Sequence, residues 1–179
     1  APPFVIVQVT DNHLFADPAR ENKGYAPMAS LRAVLKAAAE HALHTAPDGQ
    51  PDALLFTGDV SNDNTDGSYD IFVSAVEDAF GAPPSKTQLR MYTPGNHDVK
   101  NLAYMQRRFA DAGWVGPDTP AADASGPSAT SARMRSVALR PGWRCLLLDS
   151  TVPSSHGNEE GRAVSGEFGL AEVEAVRAE

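Results

Sequence analysis

Residues 89–98 read Leu89-Arg90-Met91-Tyr92-Thr93-Pro94-Gly95-Asn96-His97-Asp98. A short apolar strand runs into a Pro-Gly turn, which presents an amide, an imidazole and a carboxylate in succession. The same plan occurs twice upstream. The run 4–9 empties into Asp11-Asn12-His13, and the run 53–56 into Gly58-Asp59. Apolar runs without alternation suit strands covered on both faces, as in parallel sheets. Functional groups in such sheets gather where the strands end. Three strand ends can therefore bring carboxylate, imidazole and amide groups to one place, and two-metal phosphoester hydrolysis uses such groups. Asp149-Ser150, after Leu146-Leu147-Leu148, is a fourth strand-end position.

The intervening segments predict helices. Over 28–44, Leu31, Val34, Leu35 and Ala38 fall at i, i+3, i+4 and i+7, and Ala46-Pro47-Asp48-Gly49 closes the segment. From about 68 to 80, Phe72, Val76 and Phe80 share a face with Ile71 beside them, and Gly81-Ala82-Pro83-Pro84 breaks the pattern. A third helix is expected over 102–112, with Arg107-Arg108 on a solvated face. Pro141-Gly142 between 134–140 and 143–149 predicts a hairpin. Residues 113–131 are rich in Gly, Pro, Ala and Ser and predict a long surface loop. Trp114 and Trp143 are expected to pack against the sheet. A second polar loop covers about 150–165. Residues 168–178 read as a helix, with Leu170, Val173 and Val176 on one face, and no stop signal follows. The expectation is one α/β domain over 1–179, shortened at its C-terminal end.

The bulk numbers narrow the function classes. The chain has 179 residues, 42% of them hydrophobic and 21% charged, an ordinary globular balance. A formal charge of −8 argues against a broad face for nucleic-acid polymers. It leaves an anionic small molecule open, because bound cations can dominate local charge. No stretch approaches the roughly 20 apolar residues of a membrane span. The single cysteine, Cys145, reads as a small buried hydrophobe, and one thiol per chain favours a reducing, cytoplasmic setting.

Each cluster has a bland reading beside the chemical one. In an extended segment Asp11 and His13 would point the same way and could share an ion, or they could be a solvated turn. Asp59 could bridge two ions, or end a strand as a turn carboxylate or helix cap. Asn96 can ligate through its amide oxygen without adding charge. His97 can act as a cation or acid beside a phosphoryl oxygen. Asp98 could orient His97 or cap the next helix. His41 and His44, at i and i+3 on the first helix, read as solvated or packing residues.

Taken in order, Asp11-x-His13, Gly58-Asp59 and Gly95-Asn96-His97-Asp98 resemble the calcineurin-like metallophosphoesterases. Val9-Thr10-Asp11, His13-Leu14-Phe15, Thr57 before Gly58, Pro94 before Gly95, and Asp149-Ser150 with a later His156-Gly157 are similar to the bacterial class III cyclic-nucleotide phosphodiesterases. The resemblance implies a four-layer α/β/β/α sandwich with a binuclear centre of Fe, Mn or Zn. It implies that Asp11 and His13 hold one metal, Asp59 bridges, and Asn96 holds the other. His97 would contact the substrate phosphate or protonate the leaving oxygen, with a metal-bridging hydroxide as nucleophile. His156 would lie near the substrate edge.

The pattern also departs from the family. Where many relatives place an Asp that pairs with the motif His, this chain has Asn62, with Asp63 next. The family's remaining ligands, a His after a later strand and a Gly-His-x-His motif, are absent from these residues. The implied activity is hydrolysis of 3′,5′-cyclic nucleotides, cAMP-like, to nucleoside monophosphates. Another small diester, such as a glycerophosphodiester or a nucleotide pyrophosphate, fits the same ligands. An inactive fragment or binding module is the alternative from another class. The family also suggests a homodimer.

Overall fold

Each apolar run that ends in a polar cluster forms a strand. The computed structural model describes residues 3–82, 88–117, 134–149 and 151. Strand β1 (Ile6–Val9) leads to helix α1 (Pro27–Thr45), β2 (Ala53–Thr57), α2 (Asp66–Phe80) and β3 (Leu89–Thr93). A 3-10 turn (Val99–Asn101) precedes α3 (Leu102–Asp111), and β4 (Met134–Arg140) and β5 (Trp143–Leu148) follow. β1 pairs with β2 and β2 with β3, both parallel, with Ile6 and Leu89 each opposite Ala53. Consecutive parallel strands need crossovers, and α1 and α2 supply them. All three strands therefore end on the same sheet edge. α1 begins at Pro27, whose missing N–H costs nothing in the first turn.

Side-chain alternation in the strands divides the interior in two. Leu54, Phe56 and Tyr92 face a helical core of Leu31, Leu35, Phe72, Val76, Met105 and Phe109. Ala53 and Met91 face the opposite side, where Leu147 is buried and Val137 and Cys145 pack against them. The antiparallel pair β4–β5 thus lies against the other face of the parallel sheet. Helices, sheet and hairpin stack as an α/β/β arrangement. The segment 168–178 lies outside the described residues.

Four expectations need correction. The segment 113–131 does not begin as a surface loop. Trp114 is only 1% exposed, stacks on Phe56 at 4.8 Å and 13°, and meets Phe72 edge-on at 5.7 Å. Val115 bridges to Met91 and exchanges backbone hydrogen bonds with Tyr92 and Arg90. A two-residue apolar step among glycines is too short to register as periodicity. Residues 118–131 lie outside the described residues. Trp143, by contrast, is 60% exposed, with the Arg140 guanidinium 5.4 Å over its ring. Arg107-Arg108 is not simply solvated. Arg108 pairs with Asp70 at 2.8 Å, and Arg107 lies over the Tyr104 ring. Cys145 is half-buried rather than buried, and burial raises its thiol pKa. His41 and His44 are exposed, as expected. Among the described residues no helix is long and apolar enough to cross a membrane.

The two tryptophans should separate in a stability measurement. Trp114→Ala is expected to cost about 3–5 kcal/mol, against less than about 1 kcal/mol for Trp143→Ala. Urea unfolding midpoints check this, and equal losses would contradict the packing described for Trp114.

Candidate metal centre

Asp11 and His13 reach the same place, but not by extended alternation. Both are left-handed, at φ 54° and 48°, and so is Asp59, at φ 52°. Each such residue costs on the order of 1–2 kcal/mol. Strain of this kind persists only where the surroundings over-determine it, and it concentrates at functional sites. Here the loops after β1 and β2 fix each other. The N–H of Asp11 donates to the Gly58 carbonyl at 3.1 Å, and that of His13 to Asp59 at 2.9 Å. Leu14 donates to Val60 at 2.8 Å, and Asn62 donates back to Leu14 at 2.7 Å. The fully buried Leu14 side chain anchors the pair.

Two glycines bring the third loop in. Gly58 has φ 91°, and a Cβ there would lie 2.6 Å from both Cα and N of Gly95. A Cβ on Gly95 would strike the Asp59 carboxylate and backbone. This close approach lets the His97 N–H donate to Asp59 Oδ1 at 2.9 Å. The other oxygen, Oδ2, faces His13.

The side chains then converge. His13 Nε2 lies 3.8 Å from Asp11 Oδ1 and 4.0 Å from Asp59 Oδ2. The His13 and His97 rings meet edge-on, with centroids 4.6 Å apart. Ligand atoms of His13, Asp59 and His97 all fall within 4.8 Å of one another. The 3.8 and 4.0 Å separations are too long for hydrogen bonds. They are within the ~4.2 Å that two ligand bonds of about 2.1 Å can span. His13 Nδ1 is buried with no hydrogen-bond partner among the described residues. Mixed imidazole and carboxylate donors suit Zn, Mn or Fe, so the residues present fit a metal. Asn96 occupies the same turn, half-buried between Gly95 and His97. His97, assigned to the substrate side by sequence, lies within ligand distance as well.

The supporting residues differ from expectation. The Asp98 side chain makes no capping hydrogen bond to the following turn. It is fully buried and accepts from the N–H groups of Gly95 at 2.9 Å, Ser61 at 3.2 Å and Val60 at 3.5 Å. The Tyr69 hydroxyl donates to it as well, at 3.2 Å. Burial pushes its carboxyl up to about 6, against the pull of the Gly95 and Ser61 hydrogen bonds. Burial also raises the pKa of Tyr69. Asp63 is turned away to other work. Its carboxylate accepts from Ala16 N–H, Ser61 Oγ, and both N–H and Oγ of Thr65. Burial works to raise its pKa, but those hydrogen bonds outweigh it and the net shift is downward. The backbone of Asn62 extends the pairing between the first two loops. Asp149 is buried and accepts from the N–H and hydroxyl of Thr151. His156 lies outside the described residues. Sequence reasoning missed Tyr69, which reads as one more apolar residue of α2, and Asn12, hidden between two candidate ligands.

A model of the calcineurin-like phosphoesterase family matches residues 4–158. This chain belongs to the calcineurin-like phosphoesterases. Among curated phosphoesterases it is 30% identical over 147 residues to the 3′,5′-cyclic adenosine monophosphate phosphodiesterase CpdA of Escherichia coli K12, covering 82% of this chain and 42% of that one. The CpdA of Haemophilus influenzae is 29% identical over 84% of this chain and 43% of its own. A 3′,5′-cyclic-nucleotide phosphodiesterase of Nostoc is 32% identical over 63% of this chain and 41% of its own. The chain spans about two fifths of the length of these relatives. The family uses divalent metals, which agrees with the donor cluster found here.

Metal should therefore stabilise the fold. Mn²⁺ or Zn²⁺ at 100 times its dissociation constant is expected to add about 2.7 kcal/mol, seen as a raised Tm. His13→Ala should abolish the increment and His44→Ala, on the exposed face of α1, should keep it. An increment retained by His13→Ala would place the metal elsewhere.

Proposed function

We propose that this chain carries the metal-binding core of a phosphodiesterase acting on small diesters, with 3′,5′-cyclic nucleotides as the substrate class. The carrying observation is the convergence of Asp11, His13, Asp59 and His97 at one sheet edge. The names of the relatives support the nucleotide assignment. On this reading Asp11 and His13 would hold one ion, Asp59 would be shared, and Asn96 would hold a second, the ions being Fe, Mn or Zn. Bound ions of this kind supply an activated water and positive charge against the phosphoryl oxygens.

The chain's own residues do the rest. Asp59 is kept in bridging orientation because Oδ1 is engaged by the His97 N–H, leaving Oδ2 for the site. Asp11 is similarly directed, since the Thr10 hydroxyl donates to Oδ2 at 2.6 Å while Oδ1 faces His13. His97 presents its imidazole to the phosphoryl group and to the oxygen released when the ring phosphate opens, where a proton is needed. Holding the reacting groups in this geometry lowers the entropy cost of the attack. With a formal charge of −8, the partner is a small diester concentrated by metal charge rather than a nucleic-acid polymer. The unpaired Cys145 fits a cytoplasmic setting.

Hydrolysis of cAMP and of bis(p-nitrophenyl) phosphate by the metal-loaded protein tests the assignment. Asp59→Asn is expected to lower kcat/KM by about 10²–10³, and His97→Ala to lower kcat by about 10²–10⁴. Wild-type rates in Asp59→Asn would end the metal-centred reading. Turnover of the aryl diester without cAMP would move the substrate to another diester.

A further inference from the structure

A 290 Å³ pocket opens between the end of β1, the turn at 22–25 and the first turns of α1. Asp11 lines it, and the same Asp11 faces His13 at 3.8 Å, so the pocket and the metal cluster share a wall. We infer that this pocket receives the nucleobase of a cyclic-nucleotide substrate, with the Tyr25 ring as the stacking face and the Asn12 amide as hydrogen-bond donor. The inference rests on the phosphodiesterase reading and specifies which part of the substrate goes where.

Three observations carry it. First, Tyr25 is 42% exposed yet held in place. Asn22 and Tyr25 exchange both backbone hydrogen bonds, at 2.8 and 3.1 Å, across Lys23 and Gly24. Those two residues are left-handed, at φ 49° and 84°, the geometry of a tight type I′ turn. The Asn22 side-chain amide also donates to the Tyr25 hydroxyl at 3.1 Å. An aromatic face that is rigid before binding loses little entropy on stacking. Second, Asn12 lines the pocket, and its Nδ2 is buried with no hydrogen-bond partner among the described residues. A buried donor left unmade is costly, and a turn of the Asn12 amide toward the pocket would offer it to a ring nitrogen. Third, the remaining wall is apolar at Pro27, Leu31 and Val34 and uncharged but polar at Gln8, Thr10 and Ser30, and among the described residues none that lines it is basic. With Asp11 as the one charged group among them, this lining disfavours a second phosphate and suits a neutral planar heterocycle. The volume corresponds to about ten water-sized groups, the size of a purine.

Two titrations test the placement. The Mn²⁺-loaded protein is titrated calorimetrically with adenosine 5′-monophosphate and with ribose 5-phosphate, and the metal-free protein with adenosine by NMR. The nucleotide is expected to bind about tenfold tighter than the sugar phosphate. Tyr25→Leu should erase that difference without changing the affinity for ribose 5-phosphate, and Tyr25→Phe should restore it. Adenosine should shift the Asn12 side-chain amide resonances in the wild type and not in Tyr25→Leu. Equal affinities for the two phosphates in the wild type, or a difference that survives Tyr25→Leu, would overturn the inference. If neither phosphate ligand binds while adenosine still shifts Asn12 in a Tyr25-dependent way, the pocket stands and the phosphodiesterase reading falls.

Discussion

One buried carboxylate fixes the spacing of the site. Asp98 accepts hydrogen bonds from the loop after β2 through Val60 and Ser61, from the loop after β3 through Gly95, and from α2 through Tyr69. None of these donors belongs to a candidate ligand. Val60 and Gly95 stand directly beside Asp59 and Asn96, so Asp98 holds the two ligand loops at a set distance without occupying the site. The close passage of Gly58 against Gly95 is the steric counterpart of the same constraint. Larger residues at either position would push apart the strand ends that Asp98 draws together.

The architecture was legible because the signals were long or chemically sharp. The repeated apolar runs gave three strands, and the 3.6-residue spacing in 28–44 and 68–80 gave two helices. Both signals survive folding, because each element buries one or two whole faces. What escaped was short-range. Trp114-Val115 joins the core and the sheet within two residues, and no periodic pattern can form over that distance. Arg90 escaped for another reason. It is almost fully buried inside β3, where Nε donates to Gln88 and Nη2 to the Gly81 carbonyl at the end of α2, while Nη1 has no partner among the described residues. The strand reading of 89–93 carried no role for the charge, which here ties a helix end to the sheet.

The site divides the same way. Residue types at strand ends revealed the chemistry, since Asp, His and Asn in sequence are an unusual set of donors. The backbone that aims them was not legible. Asp11, His13 and Asp59 sit in left-handed conformations, uncommon for any residue but glycine even though Asp and His adopt them more readily than most. No local propensity announces those angles. They are imposed by the hydrogen bonds between loops that sequence reading treats as separate. The role of Asp98 was lost for a related reason. Beside the nearby Gly95 N–H, its carboxylate collects donors from Val60, Ser61 and Tyr69, and only the fold brings those three near.

Asp11, Asp59 and Asp98 converge on one sheet edge, and Asp59 adds to the raised pKa of Asp98 by repulsion. His13 has carboxylates on two sides, yet neither approaches within hydrogen-bond distance. A site arranged only for stability would close those gaps into charge-assisted hydrogen bonds. Keeping them open at the cost of three left-handed residues makes sense if a cation stands between the groups. The strain and the uncompensated negative charge then have a common remedy, and both are relieved by the same ligand. This also explains why the neighbouring pocket can do without basic residues. On the proposed reading a bound metal would supply the positive charge that an anionic substrate needs, leaving the walls beside it to contact the neutral remainder of the molecule.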